Sequence, residues 1–180
     1  RLLRNGEDAI RNTPPDRWNT EALYHPEPST PGKMNTRWGG FIDRIEEYDA
    51  QFFGISPREA VCMVPQQRIL LELTWEALED AGMPAERIAG SSTGVFVGIS
   101  TNDYAYRLLG DLQSVTAYTG TGNALSIAAN RISYFLDLRG PSMAVDTACS
   151  SSLVAIHLAC QSLWNSECEI AFAGGANLIL

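Results

Sequence analysis

Between Ser142 and Trp164 an apolar strand pattern passes through a turn of small residues straight into a helical pattern that is apolar nearly all round. A helix without a polar face has to be covered on every side. This one segment therefore demands a layered domain whose other elements enclose it. The flanking sequence supplies candidates. Thr93 to Ser100 alternates Val95, Val97 and Ile99 around Gly94 and Gly98, which predicts a buried strand approached closely by another backbone. Glu169 to Ala173 predicts a further strand ending at Gly174-Gly175, and Ala124 to Leu136 predicts a helix. Strands alternating with helices define an α/β layered domain.

At 180 residues the chain is long enough for one domain with a sizeable core and too short for two of ordinary size. Its net charge of -8 and isoelectric point near 4.7 leave no basic footprint for a phosphate backbone or an anionic membrane, so neither nucleic acid nor membrane is expected as a partner. The stretch from Thr147 to Ser166 carries no formal charge but is interrupted by serines, a glutamine, an asparagine and a histidine, which rejects a membrane span. No secretory leader pattern opens the sequence. Cys62, Cys149, Cys160 and Cys168 lack C-x-x-C spacing and have only His25 and His157 to join them, so no metal site is expected. Reduced thiols and a cytoplasmic location follow as the expectation.

Local signals place further elements. Ser56-Pro57-Arg58-Glu59 fits a capping box opening a short helix. A longer helix is predicted from Pro65 to about Ala81, with Ile69, Leu70, Leu73, Ala77 and Leu78 on its inner face. Gly82 takes the left-handed position after it, and Met83 folds back on Leu78. Its N-cap is Val64, which has no oxygen to accept the free amides of the first turn. Thr13 to Trp38 reads as an ordered, irregular segment. The chain opens in the amphipathic pattern Leu2, Leu3, Ile10 and closes in the apolar run Ala176 to Leu180, which leads to the expectation of a piece of a larger protein.

The chemistry points to Cys149. Val145-Asp146-Thr147-Ala148-Cys149-Ser150-Ser151-Ser152-Leu153 puts this thiol on a strand-to-helix turn. Small neighbours let the backbone bend sharply, and the free amides at a helix start favour an anion there. The same amides can hold a developing oxyanion when sulfur attacks a thioester, as acyl transfer requires. A small buried cysteine beside capping serines fits these residues too. Asp146 and Thr147 could assist the thiol or satisfy backbone amides of the turn. His157 lies eight residues beyond Cys149, about 12 Å along the helix axis, and reads as a packed helix residue. His25 reads as an exposed loop residue, Cys160 as core, and Cys62 and Cys168 remain unassigned. Asn130-Arg131 reads as a structural hydrogen-bonding pair.

The Cys149 segment resembles the active-site signature of β-ketoacyl synthase (ketosynthase) domains in type I modular polyketide synthases. Arg37-Trp38-Gly39-Gly40-Phe41, Phe52 to Glu59, Trp75 to Gly82, Gly94 to Ile99 and Ala129 to Tyr134 resemble the same family, in its order. The resemblance implies a thiolase-like layered αβαβα fold, of which residues 1–180 supply most of the amino-terminal half. On it, these residues are a partial ketosynthase domain, cut at both ends and missing an opening strand and a carboxy-terminal half. It also implies a homodimer and substrates delivered by acyl carrier protein on phosphopantetheine, with no cofactor bound directly.

By the same resemblance, Cys149 takes an acyl chain and its amide belongs to the oxyanion hole. A malonyl-type extender then loses carbon dioxide and condenses with the acyl group. Residues near Thr119 to Asn123 would lie close to a partner's acyl pocket. The family's two histidines, in H-G-T-G-T and N-I-G-H motifs, do not occur among these residues, so condensation by this piece alone is not expected. A fragment that acts only through association, with apolar faces around Val95, Val97, Ile170 and Leu178 exposed, is the alternative from another class. Among enzymes, a fatty-acid ketosynthase is the alternative, although Phe52 to Glu59 favours the polyketide type.

Overall fold

A computed structural model describes residues 2–180. Contacts divide the chain into two units, one running up to Ile45 and the other Glu46–Ile179. In the first, α1 (Leu2–Asn5) precedes the antiparallel pair β1 (Arg11–Asn12) and β2 (Trp38–Gly39), with α2 (Thr20–Leu23) between them. Asn19 caps α2 by accepting from the Ala22 amide. Arg11 donates to Asp43 at 2.6 Å, which holds that carboxyl below the usual carboxylate range. The segment read as irregular is thus ordered by short pairings and one capped turn of helix. His25 is half-buried, with Nδ1 accepting from the Glu27 amide, rather than a fully exposed loop residue.

The second unit holds the core. In chain order it contains α3 (Pro57–Ala60), α4 (Pro65–Asp80), α5 (Ala85–Ile88), β3 (Gly94–Gly98), α6 (Asp103–Leu109), α7 (Ala117–Asn123) and α8 (Leu125–Phe135). It continues with β4 (Ser142–Val145), α9 (Ser151–Trp164) and β5 (Ala171–Gly175). The three strands form a parallel sheet in the order β4-β3-β5. Phe96 stands opposite Met143 on one side and Ala173 on the other.

Alternation along β3 sorts its side chains between two layers. Val95 and Val97 pack with Leu70, Leu71 and Leu78 of α4 and with Ala128, Ala129 and Ile132 of α8. Phe96 faces the other way, onto Ala155 and Ala159 of α9. Because Phe96 and both valines are buried, all of β3 is enclosed. The expectation that Val95, Val97, Ile170 and Leu178 would stand exposed is therefore wrong: α4 and α8 cover the valines, Leu178 is buried as well, and Ile170 is half-buried against the same core.

Helix α4 also departs from its sequence pattern. Its whole first turn, Pro65 to Arg68, is buried, and Leu71 is packed, whereas Leu73 is 51% exposed and Ala77 is exposed. Insertion of that turn beneath neighbouring backbone, not the amphipathic stripe, sets which residues are covered. Val64 N–H donates to the Gly122 carbonyl, and Arg68 donates to the carbonyls of Met63 and Glu46. The end of α4 follows the sequence reading. Gly82 has φ +61, its N–H meets the Glu79 carbonyl, and the Met83 N–H meets the Leu78 carbonyl.

Ser56 caps α3 through the Glu59 amide at 3.2 Å. The Glu59 carboxylate, which a full capping box would turn back to Ser56, reaches Arg131 at 2.6 Å. Arg131 also donates to Gln67 Oε1, so α3, α4 and α8 are joined by one polar network. Ser142 Oγ donates to Asn130 Oδ1, in keeping with the structural reading of Asn130-Arg131.

Candidate active site

Strand β4 ends at Val145, and four residues later the chain is inside a short 3-10 turn, Ala148–Ser150, that leads into α9. The turn is tied from both sides. Asp146 Oδ1 accepts from the Ala148 amide at 3.0 Å. The Thr147 amide donates to Ser151 Oγ at 2.9 Å, and that hydroxyl donates to the Ala148 carbonyl at 2.7 Å. Ser150 Oγ donates to Thr147. Asp146 thus satisfies a backbone amide of the turn, as the structural alternative held, whereas the Thr147 hydroxyl accepts from Ser150 Oγ and no backbone amide.

Ala148 has φ +55, in the left-handed region that a residue with a side chain rarely enters. Such a backbone persists only where its surroundings fix it, and here it lets the chain reverse within one residue. Cys149 is the exposed one of the four free thiols, while Cys62 and Cys168 are buried and Cys160 is half-buried. Cys168 points its sulfur at Ser162 Oγ, 3.3 Å away. His157 is exposed rather than packed, because the face of α9 that carries it is not the one against the sheet.

Glycines let α9 approach. A β-carbon on Gly98 would come within 2.6 Å of the Ser151–Ser152 peptide, and one on Gly175 within 2.9 Å of Ser152 Cβ. The N-terminus of α9 is thereby pressed onto the ends of β3 and β5. Beside Cys149 these ends form a cleft of about 550 Å³, lined by Gly98 to Thr101, Ala148, Ser151, Ser152 and Gly175 to Asn177. Ligand sites of parallel sheets lie outside the carboxyl ends of the strands, and that rule could have drawn attention to Thr101 and Asn177, which carry no motif of their own.

The helix after Cys149 is not enclosed as its composition demands. Ser151, Ala155, Ala159 and Ser162 form its buried stripe, whereas Leu153 is 71% and Trp164 77% exposed. Only the small-residue face meets the sheet. Among the described residues, no group of three or more His, Cys, Asp and Glu side chains could hold a metal ion, and no helix is long and apolar enough to cross a membrane.

Solved structures share this arrangement throughout the chain. The oxazolomycin ketosynthase domain OzmH KS7 of Streptomyces albus JA3453 superposes with a TM-score of 0.89 at 40% identity, over 98% of this chain and 31% of that one. The ketosynthase from module 6 of the bacillaene synthase of Bacillus subtilis 168 gives 0.84 at 39% identity, over 99% and 28%. The fold is the thiolase-like layered α/β fold of ketosynthases.

Residues 1–180 match the family described as Beta-ketoacyl synthase, N-terminal domain, and the chain belongs to that family. Among curated relatives, a phenolphthiocerol/phthiocerol polyketide synthase of Mycobacterium tuberculosis is 57% identical over 175 residues, 97% of this chain and 11% of the relative. The pikromycin polyketide synthase component PikAII of Streptomyces venezuelae is 52% identical over 180 residues, 99% of this chain and 5% of the relative. The chain thus spans about a tenth or less of the length of these two relatives.

Proposed function

We propose that this chain is the nucleophile-bearing part of a polyketide ketosynthase domain and that Cys149 accepts the acyl chain. The observation that carries the proposal is the exposed Cys149 thiol on a left-handed turn, at the mouth of a cleft floored by strand ends. In the first step the Cys149 thiolate attacks the carbonyl carbon of an acyl thioester on acyl carrier protein. The carbon-sulfur bond to the carrier's phosphopantetheine breaks, and that thiolate leaves. The resemblance assigns the Cys149 amide to the oxygen on which negative charge develops; the Thr147 and Ala148 amides are held within the turn.

In the second step a malonyl-type thioester loses carbon dioxide, and the electron pair of the broken bond stays on its α-carbon. That carbon attacks the acyl-cysteine carbonyl, a carbon-carbon bond forms, and the Cys149 thiolate departs. The resemblance assigns the promotion of decarboxylation to two histidines in motifs that these residues do not contain. Condensation is accordingly assigned to the longer synthase, as a homodimer in the cytoplasm, and residues 1–180 to part of its ketosynthase domain.

Association without catalysis is the second reading, favoured by the uncovered Leu153 and Trp164 of α9. The test uses the full-length synthase with carrier-bound acyl and malonyl substrates. Cys149→Ala is expected to abolish the β-keto product. Product formation at the unsubstituted rate would remove Cys149 from the chemistry.

A further inference from the structure

Gln66, in the first turn of α4, is fully buried, yet its side-chain oxygen has no hydrogen-bond partner among the described residues. Its Nε2 donates twice to one residue, to the Thr101 carbonyl at 3.3 Å and the Thr101 hydroxyl at 3.2 Å. The amide cannot be turned over, because its oxygen would then face a carbonyl oxygen. A leucine or methionine would fill the same space without leaving an orphaned acceptor, so packing alone does not explain a glutamine here.

The two bonds end on a wall of the Cys149 cleft. Thr101 lies on the chain leaving β3, and its hydroxyl donates onward to Asn177 Oδ1 at 3.0 Å, with the Leu178 carbonyl at 3.3 Å. Asn177 lies on the chain leaving β5, and both Thr101 and Asn177 line the cleft. A single buried carboxamide thereby holds one strand end directly and the second through a hydroxyl. The hydrogen bonds described above for the Cys149 turn stay within the turn and do not tie these walls together.

We propose that Gln66 is a positioning residue for acyl transfer at Cys149, setting through Thr101 and Asn177 the separation of the walls between which the thioester must lie. The inference rests on the reading of Cys149 as the acyl acceptor. A small shift of substrate relative to a nucleophile costs orders of magnitude in rate, whereas a small electrophile that needs no wall is indifferent to it. The clamp therefore affects acylation by a thioester and not alkylation by iodoacetamide.

The test uses the full-length synthase, unsubstituted and as Gln66→Leu, Thr101→Val and Thr101→Ser. Acyl label on Cys149 is followed by mass spectrometry against thioester concentration, beside iodoacetamide labelling and melting temperature. Gln66→Leu and Thr101→Val are expected to lower the saturated acylation rate by about ten- to a hundredfold, with alkylation of Cys149 within about twofold. Thr101→Ser is expected to recover most of the rate lost in Thr101→Val. Should Gln66→Leu fail to fold, the Thr101 pair carries the same comparison. Equal acylation rates in all four proteins would overturn the inference alone, as would parallel losses of acylation, alkylation and melting temperature. Absence of acyl label on Cys149 of the unsubstituted protein would overturn the underlying reading as well.

Discussion

Gly98, at the end of β3, abuts the backbone of Ser152 in the first turn of α9, where a β-carbon on the glycine would stand 2.6 Å from the Ser152 nitrogen. Neither partner can give way without moving a strand of the central sheet or the helix that follows Cys149. Gly98→Ala is therefore predicted to cost about 1–3 kcal/mol, read as a lower urea midpoint. Gly120, in α7, has nothing within 4 Å of a built β-carbon, so Gly120→Ala should raise the midpoint slightly through helix propensity. Equal effects of the two substitutions would show that α9 is not seated on the sheet as described.

Val64→Asp sets the gain from an N-cap against the packing of Val64. An aspartate N-cap would add about 0.5–2 kcal/mol at an exposed helix start, but Val64 is 0% exposed and makes no side-chain cap bond. The substitution removes packed methyl groups and puts a carboxylate into a closed site. It is predicted to lower the urea midpoint, and Val64→Thr to lower it less. A higher midpoint for Val64→Asp would mean that the carboxylate reaches the first-turn amides and outweighs the lost packing.

The positions legible in the sequence are those where local chemistry decides the outcome. Ser56 and Gly82 mark helix ends because a hydroxyl and a left-handed glycine act within one turn. The alternation Val95, Phe96, Val97 gives a two-sided strand, and Ser142 to Trp164 gives the turn that displays Cys149. Leu73, expected on the inner face, is exposed while Leu71 is packed, because burial of α4 depends on what covers its first turn, which no periodicity encodes. The link between Gln66, Thr101 and Asn177 was illegible for a related reason: they lie 35 and 76 residues apart and meet only through the fold. The left-handed Ala148 was hidden because alanine ordinarily marks helix, not reversal.

The uncovered face of α9 predicts how residues 1–180 behave alone. Leu153, Ile156 and Trp164 stand in solvent while Val95 and Val97 are packed. The isolated chain should bind a hydrophobic dye and associate with itself. Leu153→Ser combined with Trp164→Ser should remove most of the dye signal with little change in the urea midpoint. An undiminished signal would place the exposed apolar surface elsewhere.

Whether Cys149 takes the acyl group is decided by incubating the full-length synthase with an acyl thioester and mapping the acylated peptide by mass spectrometry, with and without prior limiting iodoacetamide. Cys149 is the exposed thiol at the cleft, whereas Cys62 and Cys168 are buried. The acyl group is expected on the peptide containing Cys149, to disappear in Cys149→Ala, and to fall in proportion to iodoacetamide labelling at that residue. Acylation at Cys62, Cys160 or Cys168, with Cys149 left free, would contradict the assignment.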